Sequence, residues 1–181
     1  MRLTTERLVL RPFTTADAPA FAAYRSEPDV ARYQGWEAPF PLAQAEEFVR
    51  DVAAADPTAP GWYQFAVEAG GVLVGDVGVG LHENRRQADI GYTLATAHQG
   101  RGYAAEAVRQ VVAYLFEVRG LHRVAAECDA RNVRSARLLT RLGFRQEGHR
   151  VQSTWAKGEW TDDLLFGLLA TEWRTATGSR G

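Results

Sequence analysis

Leu8 and Leu10 alternate with Val9 and Arg11 ahead of Pro12, a period of two that predicts a strand over 7–13. Pro12 has no amide proton to give, which places that strand at a sheet edge. Thr15 before Ala16-Asp17-Ala18, with Phe21 and Tyr24-Arg25 three to four positions apart, predicts a first, capped helix. Ala45, Phe48, Val49 and Val52 recur at helical spacing after Pro41 and stop before Pro57, a second helix. Tyr33-Gln34-Gly35-Trp36, between the two helices, is aromatic without a period and reads as a loop.

Two period-two runs, 62–67 and 72–79, flank Gly70-Gly71 and predict a hairpin, and a third run over 88–94 extends it to three antiparallel strands. From Gly102 the period changes: Ala104, Ala107, Val108, Val111, Val112, Leu115 and Phe116 form one apolar helical face that stops at Gly120. A strand over 122–128, a helix over 132–142 ending at Gly143, and two strands over 144–155 and 160–169 turned at Lys157-Gly158 complete the chain. No repeat or linker divides it, so residues 1–181 read as one domain, with a small polar end from Thr175 expected to fray.

The 181 residues carry 21 basic and 22 acidic side chains, a net charge of -1, which removes the broad positive field of a general nucleic-acid binder. All the basic residues but Lys157 are arginine and lie scattered among acids, a bias of coding rather than a binding surface. Cys128 is the one cysteine, which fits a reducing cytosol and a core position. His82, His98, His122 and His149 show no ligand spacing, so no metal is expected. No run of 18 apolar residues occurs, and neither a membrane span nor an export signal is expected.

The candidate chemistry is concentrated in Gln99-Gly100-Arg101-Gly102-Tyr103-Ala104, a glycine-rich turn between a strand and the longest predicted helix. Such a turn offers unpaired amides and the positive end of a helix dipole, both suited to phosphate oxygens. A nicotinamide site is excluded by context, because the turn follows antiparallel strands and too little chain remains for a dinucleotide-binding sheet.

Three separated motifs make the chain resemble the GNAT N-acetyltransferases, and within them the ribosomal-protein N-terminal acetyltransferase branch. They are T-E-R-L-V-L-R-P-F with Ala16-Asp17-Ala18 and Pro28-Asp29-Val30; Ile90-Gly91-Tyr92-Thr93-Leu94 with Gln99-x-x-Gly102-x-Ala104; and Asn132-x-x-Ser135-x-x-Leu138 before Leu142-Gly143-Phe144. The resemblance implies an α/β (α+β) fold, a mixed sheet of about seven strands with about four helices, splayed at an acyl-CoA site. It implies acetyl-CoA as co-substrate, its phosphates on Gln99, Gly100, Arg101, Gly102, Tyr103 and Ala104, and its pantetheine arm along Tyr92, Thr93 and Leu94, with Asn132 and Ser135 nearby. Arg137 and Arg141 could add charge to the phosphate site.

A tyrosine that many members use to protonate the leaving thiolate falls here at Leu139, and Ser135 matches the serine that replaces it. The branch's glutamate falls at Thr154, which leaves Asp89 as the expected base, with His149 and Glu127 behind it. Tyr33, Gln34, Trp36, Trp62 and Asp76 are the expected acceptor contacts, and a homodimer is common in similar proteins. Deprotonating an α-amine near pKa 7.7 at pH 7 costs about 1 kcal/mol against about 4.6 for a free lysine, so a weak base points to an α-amine or other low-pKa amine. A longer donor such as succinyl-CoA and a non-catalytic acyl-CoA sensor are the alternatives.

Overall fold

The computed structural model describes residues 1–178. Eight strands form one sheet: β1 (Leu3–Thr4), β2 (Val9–Pro12), β3 (Gly61–Ala69), β4 (Val72–Leu81), β5 (Gln87–Leu94), β6 (Arg123–Asp129), β7 (Arg145–Ala156) and β8 (Glu159–Leu169). Their spatial order is β1-β2-β3-β4-β5-β6-β8-β7, and β5 with β6 is the parallel pair in an otherwise antiparallel ladder. Helices α1 (Ala18–Arg25), α2 (Pro28–Ala31) and α3 (Leu42–Ala54) belong to one face, and α4 (Tyr103–Ala113), α5 (Val133–Arg141) and α6 (Ala170–Gly178) to the other.

Alternation along the strands builds both cores. Phe65 and Val67 join the cluster with Val108, Val111 and Leu139, while Ala66 between them joins Phe21, Ala45 and Val49 on the opposite side. Phe21 and Val49 are fully buried, and each such side chain contributes about 1.5–3 kcal/mol by leaving water. The helix entering at Tyr103 widens into a π turn over Tyr114–Val118, and Gly120 then reverses the chain in the left-handed region at φ 66°. Among the described residues no helix is long and apolar enough to cross a membrane.

Three sequence expectations change. The strand with Pro12 is not the outermost one: β1 pairs outside it, but only opposite Val9 and Leu10, so Pro12 faces no strand on that side. The first helix is capped at Thr14 rather than Thr15, because the Asp17 carboxylate reaches back to the Thr14 amide at 2.8 Å and to its hydroxyl at 3.0 Å. The end expected to fray from Thr175 is helical to Gly178, within α6, and 179–181 lie outside the described residues. That helix has no repeating apolar spacing. Trp173 docks it, 4% exposed, with its indole donating to Glu117 at 2.8 Å. Nor could α2 show a period, being four residues long.

Two features shape the site. At Gly75 of β4 a side chain would meet the Thr93 carbonyl at 2.1 Å, so only glycine lets the end of β5 lie this close to β4. On the far edge, a bulge between Arg150 and Thr154 bends the β7–β8 hairpin. Consecutive aspartates pin it: Asp162 takes the Gln152 amide at 2.8 Å, and Asp163 takes the Thr154 hydroxyl at 2.6 Å and that of Ser153. At the bent tip, Lys157 donates to the Ala31 carbonyl of α2.

Candidate active site

Strands β5 and β6 pair from Gln87–Arg123 to Ile90–Ala126 and then part. Beyond that point Gly91–Leu94 follow β4, while Glu127–Asp129 follow β8. The inner edge of β5 is therefore left without a strand partner, a backbone row that an extended amide-containing molecule can satisfy.

Side chains from three elements converge on the mouth of this gap. Tyr92 and Cys128 project to the α5 side, and the first turn of α5 brings Ser135 to them. The Tyr92 and Ser135 hydroxyl oxygens are 2.8 Å apart, and the tyrosine also donates to the Ser135 carbonyl at 3.3 Å. Asn132 fixes the start of α5 by accepting the Ser135 amide at 3.2 Å. Burial pushes the Tyr92 phenol up to about 12, against the opposing bond from Ser135, so it keeps its proton through the neutral range. Burial likewise raises the Cys128 thiol, which stays protonated rather than becoming a nucleophile.

At the end of β5 the chain turns through Thr96–His98 into the glycine-rich segment. Gln99 ties the two together: its amide nitrogen donates to the Leu94 carbonyl at 3.0 Å, and its oxygen accepts from Arg134 at 3.2 Å. Gly100 and Gly102 both sit in the left-handed region, at φ 76° and 84°, and Gly102 leads into α4. Gly100, Arg101 and Gly102 are exposed, with Tyr103 and Ala104 half-buried behind them. From the other side Arg7 donates to the Arg101 carbonyl at 2.9 Å and to Glu106 at 2.7 Å. Exposed backbone amides at a helix start, next to an open strand edge, fit the diphosphate and pseudopeptide arm of coenzyme A.

Other sequence candidates lie elsewhere. Asp89 sits in the closed part of the sheet, opposite Gly80 and Ala125, and its carboxylate is 2.9 Å from His82. Five residues of strand, about 17 Å, separate it from Leu94. The structure does not bring Asp89 to the hydroxyl pair. Asp76 is 2% exposed beneath α1, holding Tyr24 and, at 2.6 Å, Gln64, with Arg25 at 3.7 Å; it is a buried hub and not a surface for an acceptor. Burial raises its carboxyl, against Arg25 and its two hydrogen-bond donors.

Trp36 is likewise a packing residue: its indole donates to the Arg25 carbonyl at 3.0 Å and its ring lies 3.9 Å from the Arg25 guanidinium. Trp62 is exposed, its ring above Gly78 and Gly80. Tyr33 and Gln34 follow α2, with Tyr33 between Arg32 and Arg131. Glu127 pairs with Arg150, and His149 with Asp162. Arg137 and Arg141 are exposed on α5.

Sequence reasoning passed over Arg7 and Arg134, because each acts across a contact that no spacing reveals, 94 and 35 residues away. Among the described residues no cluster of three His, Cys, Asp or Glu is placed to hold a metal ion.

A family model described as an acetyltransferase (GNAT) domain matches residues 7–145. The uncharacterized N-acetyltransferase p20 of Bacillus licheniformis is 32% identical over 176 residues, covering 94% of this chain and 97% of its own. A solved GNAT-family acetyltransferase from Bacillus anthracis superposes with a TM-score of 0.86 at 28% identity, over 94% of this chain and 99% of that one. Spermidine N-acetyltransferase from Vibrio cholerae, solved with CoA and spermine, shares the fold with a TM-score of 0.80 at 23% identity, over 93% and 99% of the two chains.

Proposed function

The chain belongs to the GNAT acetyltransferase family, and from that premise we propose that it moves an acetyl group from acetyl-CoA to an α-amine or another low-pKa primary amine, by direct attack in a ternary complex. The observation that carries this reading is the Tyr92–Ser135 hydroxyl pair at the mouth of an open strand edge. Bound acetyl-CoA would supply the activated acyl group as a thioester.

The chain's own groups do the rest. The free edge at Gly91–Leu94 aligns the pantetheine arm, and the turn at Gly100–Gly102 with the start of α4 receives the diphosphate. A new C–N bond forms as the C–S bond breaks, and the electron pair leaves with sulfur. Ser135 donates the proton that the thiolate needs and recovers one through Tyr92, which is neutral at working pH. The amine loses its proton to water.

With Asp89 held by His82 in the closed part of the sheet, no carboxylate base is assigned next to the gap. An acceptor that costs only about 1 kcal/mol to deprotonate at pH 7 fits this arrangement better than an unperturbed lysine. Both the ribosomal-protein resemblance of the three motifs and a polyamine acceptor fall within the primary-amine class, and amine pKa separates them.

Thiol release from acetyl-CoA should be measured with N-terminal peptides, peptides with blocked termini and one internal lysine, and spermidine. Faster turnover of free N-termini is expected; faster turnover of the internal lysine would overturn the acceptor assignment. No turnover by any amine despite CoA binding would favour an acyl-CoA sensor instead.

A further inference from the structure

The segment between β1 and β2 reaches across the molecule to the start of α4. Arg7 places its guanidinium against the glycine-rich turn: Nη1 donates to the Arg101 carbonyl at 2.9 Å and Nε to Glu106 at 2.7 Å, while Cζ stands 4.9 Å from the centre of the Tyr103 ring. Glu106 is held from both sides, because its other oxygen accepts the Arg7 amide at 3.0 Å and the Thr5 hydroxyl. At Gly102 a Cβ would come within 3.2 Å of Arg7 Nη2, so the guanidinium lies directly against the turn.

We propose that Arg7 is a positioning residue of the donor site, holding the Arg101–Gly102 peptide in the orientation that presents the Gly102 amide and the first turn of α4 to the diphosphate of acetyl-CoA. The inference rests on the acyl-CoA reading above and adds to it the group that shapes the phosphate grip.

A trans peptide points its C=O and N–H in opposite directions, so fixing the Arg101 carbonyl toward Arg7 sends the Gly102 N–H the other way. A turn with two left-handed glycines otherwise has unusual backbone freedom, and ordering it on binding would weaken affinity.

Glu106 lies in the first turn of α4, where an unpaired carboxylate would oppose a phosphate. Arg7 and Thr5 take up its oxygens and turn its charge away from the anion site. The Glu106 carboxyl stays below its ordinary value in spite of burial, through its bonds to Thr5 and Arg7.

The test compares two ligands on the intact protein: coenzyme A, followed calorimetrically, and acetyl-pantetheine, which lacks the diphosphate, followed by NMR titration. Arg7→Met is expected to weaken coenzyme A about tenfold or more, as the loss of one good hydrogen bond and its preorganisation would. Acetyl-pantetheine binding should change less than about twofold, since its contacts lie along β5. Arg7→Lys, which keeps the charge but not the fork, should show the same ligand-selective loss and serves where the methionine variant folds poorly.

Arg7→Met/Glu106→Gln separates position from charge. Affinity that stays low supports positioning, and recovery to the wild-type value overturns it. The proposal also fails if a folded Arg7 variant binds coenzyme A as wild type does, or if both ligands weaken equally. Wild-type protein that does not bind coenzyme A would instead sink the donor-site reading itself.

Discussion

The phenolic oxygen of Tyr92 and the hydroxyl oxygen of Ser135, 43 residues apart in sequence, lie 2.8 Å from one another where β5 and β6 part. In the proposed reaction this pair is the route by which a proton reaches the sulfur of the departing coenzyme.

Removing that proton should slow transfer more than binding. Ser135→Ala is expected to lower kcat about a hundredfold, the modest end of general-acid effects, with the Kd for acetyl-CoA changed less than about threefold. Rapid CoA-thiol assays and calorimetry together check this. An unchanged kcat would remove Ser135 from the proton path. Because Tyr92 titrates at about 12, any alkaline fall in rate below pH 10 should persist in Tyr92→Phe.

Gly102 combines a left-handed backbone with contact to Arg7. Gly102→Ala should cost about 1–2 kcal/mol of stability through the left-handed penalty alone, and should weaken coenzyme A as the turn shifts. Gly91→Ala is the contrast, since a Cβ there meets nothing within 4 Å and the position carries no positive φ. Thermal melts of the two variants should differ by several degrees, and equal melts would contradict the strain argument.

Asn132 caps the helix that carries Ser135. Asn132→Ala should cost about 1 kcal/mol, and Asn132→Asp should recover most of it, because a carboxylate can accept the same amide. Chemical denaturation measures both. A full loss of kcat in Asn132→Asp with normal stability would show that the asparagine does more than cap.

Asp76 gives a pH signature. Its carboxyl is raised mainly by burial, against Arg25, Tyr24 and Gln64. A carboxyl raised on folding holds its proton more tightly in the native state, so its contribution to stability is fully present below the unfolded value and is lost as pH rises through the folded one. Asp76→Asn removes this titration. The stability of wild type relative to the variant should therefore grow as pH falls from 7 toward about 4. Denaturant midpoints at the two pH values decide it, and a constant difference would mean that Arg25 and the hydrogen bonds cancel the burial.

The amino-acid sequence by itself determined the main elements and the position of the glycine-rich turn. Period-two runs marked β3, β4 and β5, period 3.6 marked α3 and α4, and paired glycines marked Gly100–Gly102, because each signal is local: a side chain's face follows from its own element's geometry. It also marked Ser135 as a candidate, through the resemblance of the motif on α5 to the GNAT family. The tertiary structure alone decided which of these residues meet. The parallel pairing stops at Ile90–Ala126, and that single event opens the gap, sets Tyr92 against Ser135 and leaves Asp89 in the closed sheet beside His82. It also fixed the positions of Arg7, Arg134, Asp76 and Trp36, whose partners come from other elements. The physical reason is that periodicity specifies an element's buried face, whereas the register and end point of contact between elements depend on packing of the whole sheet.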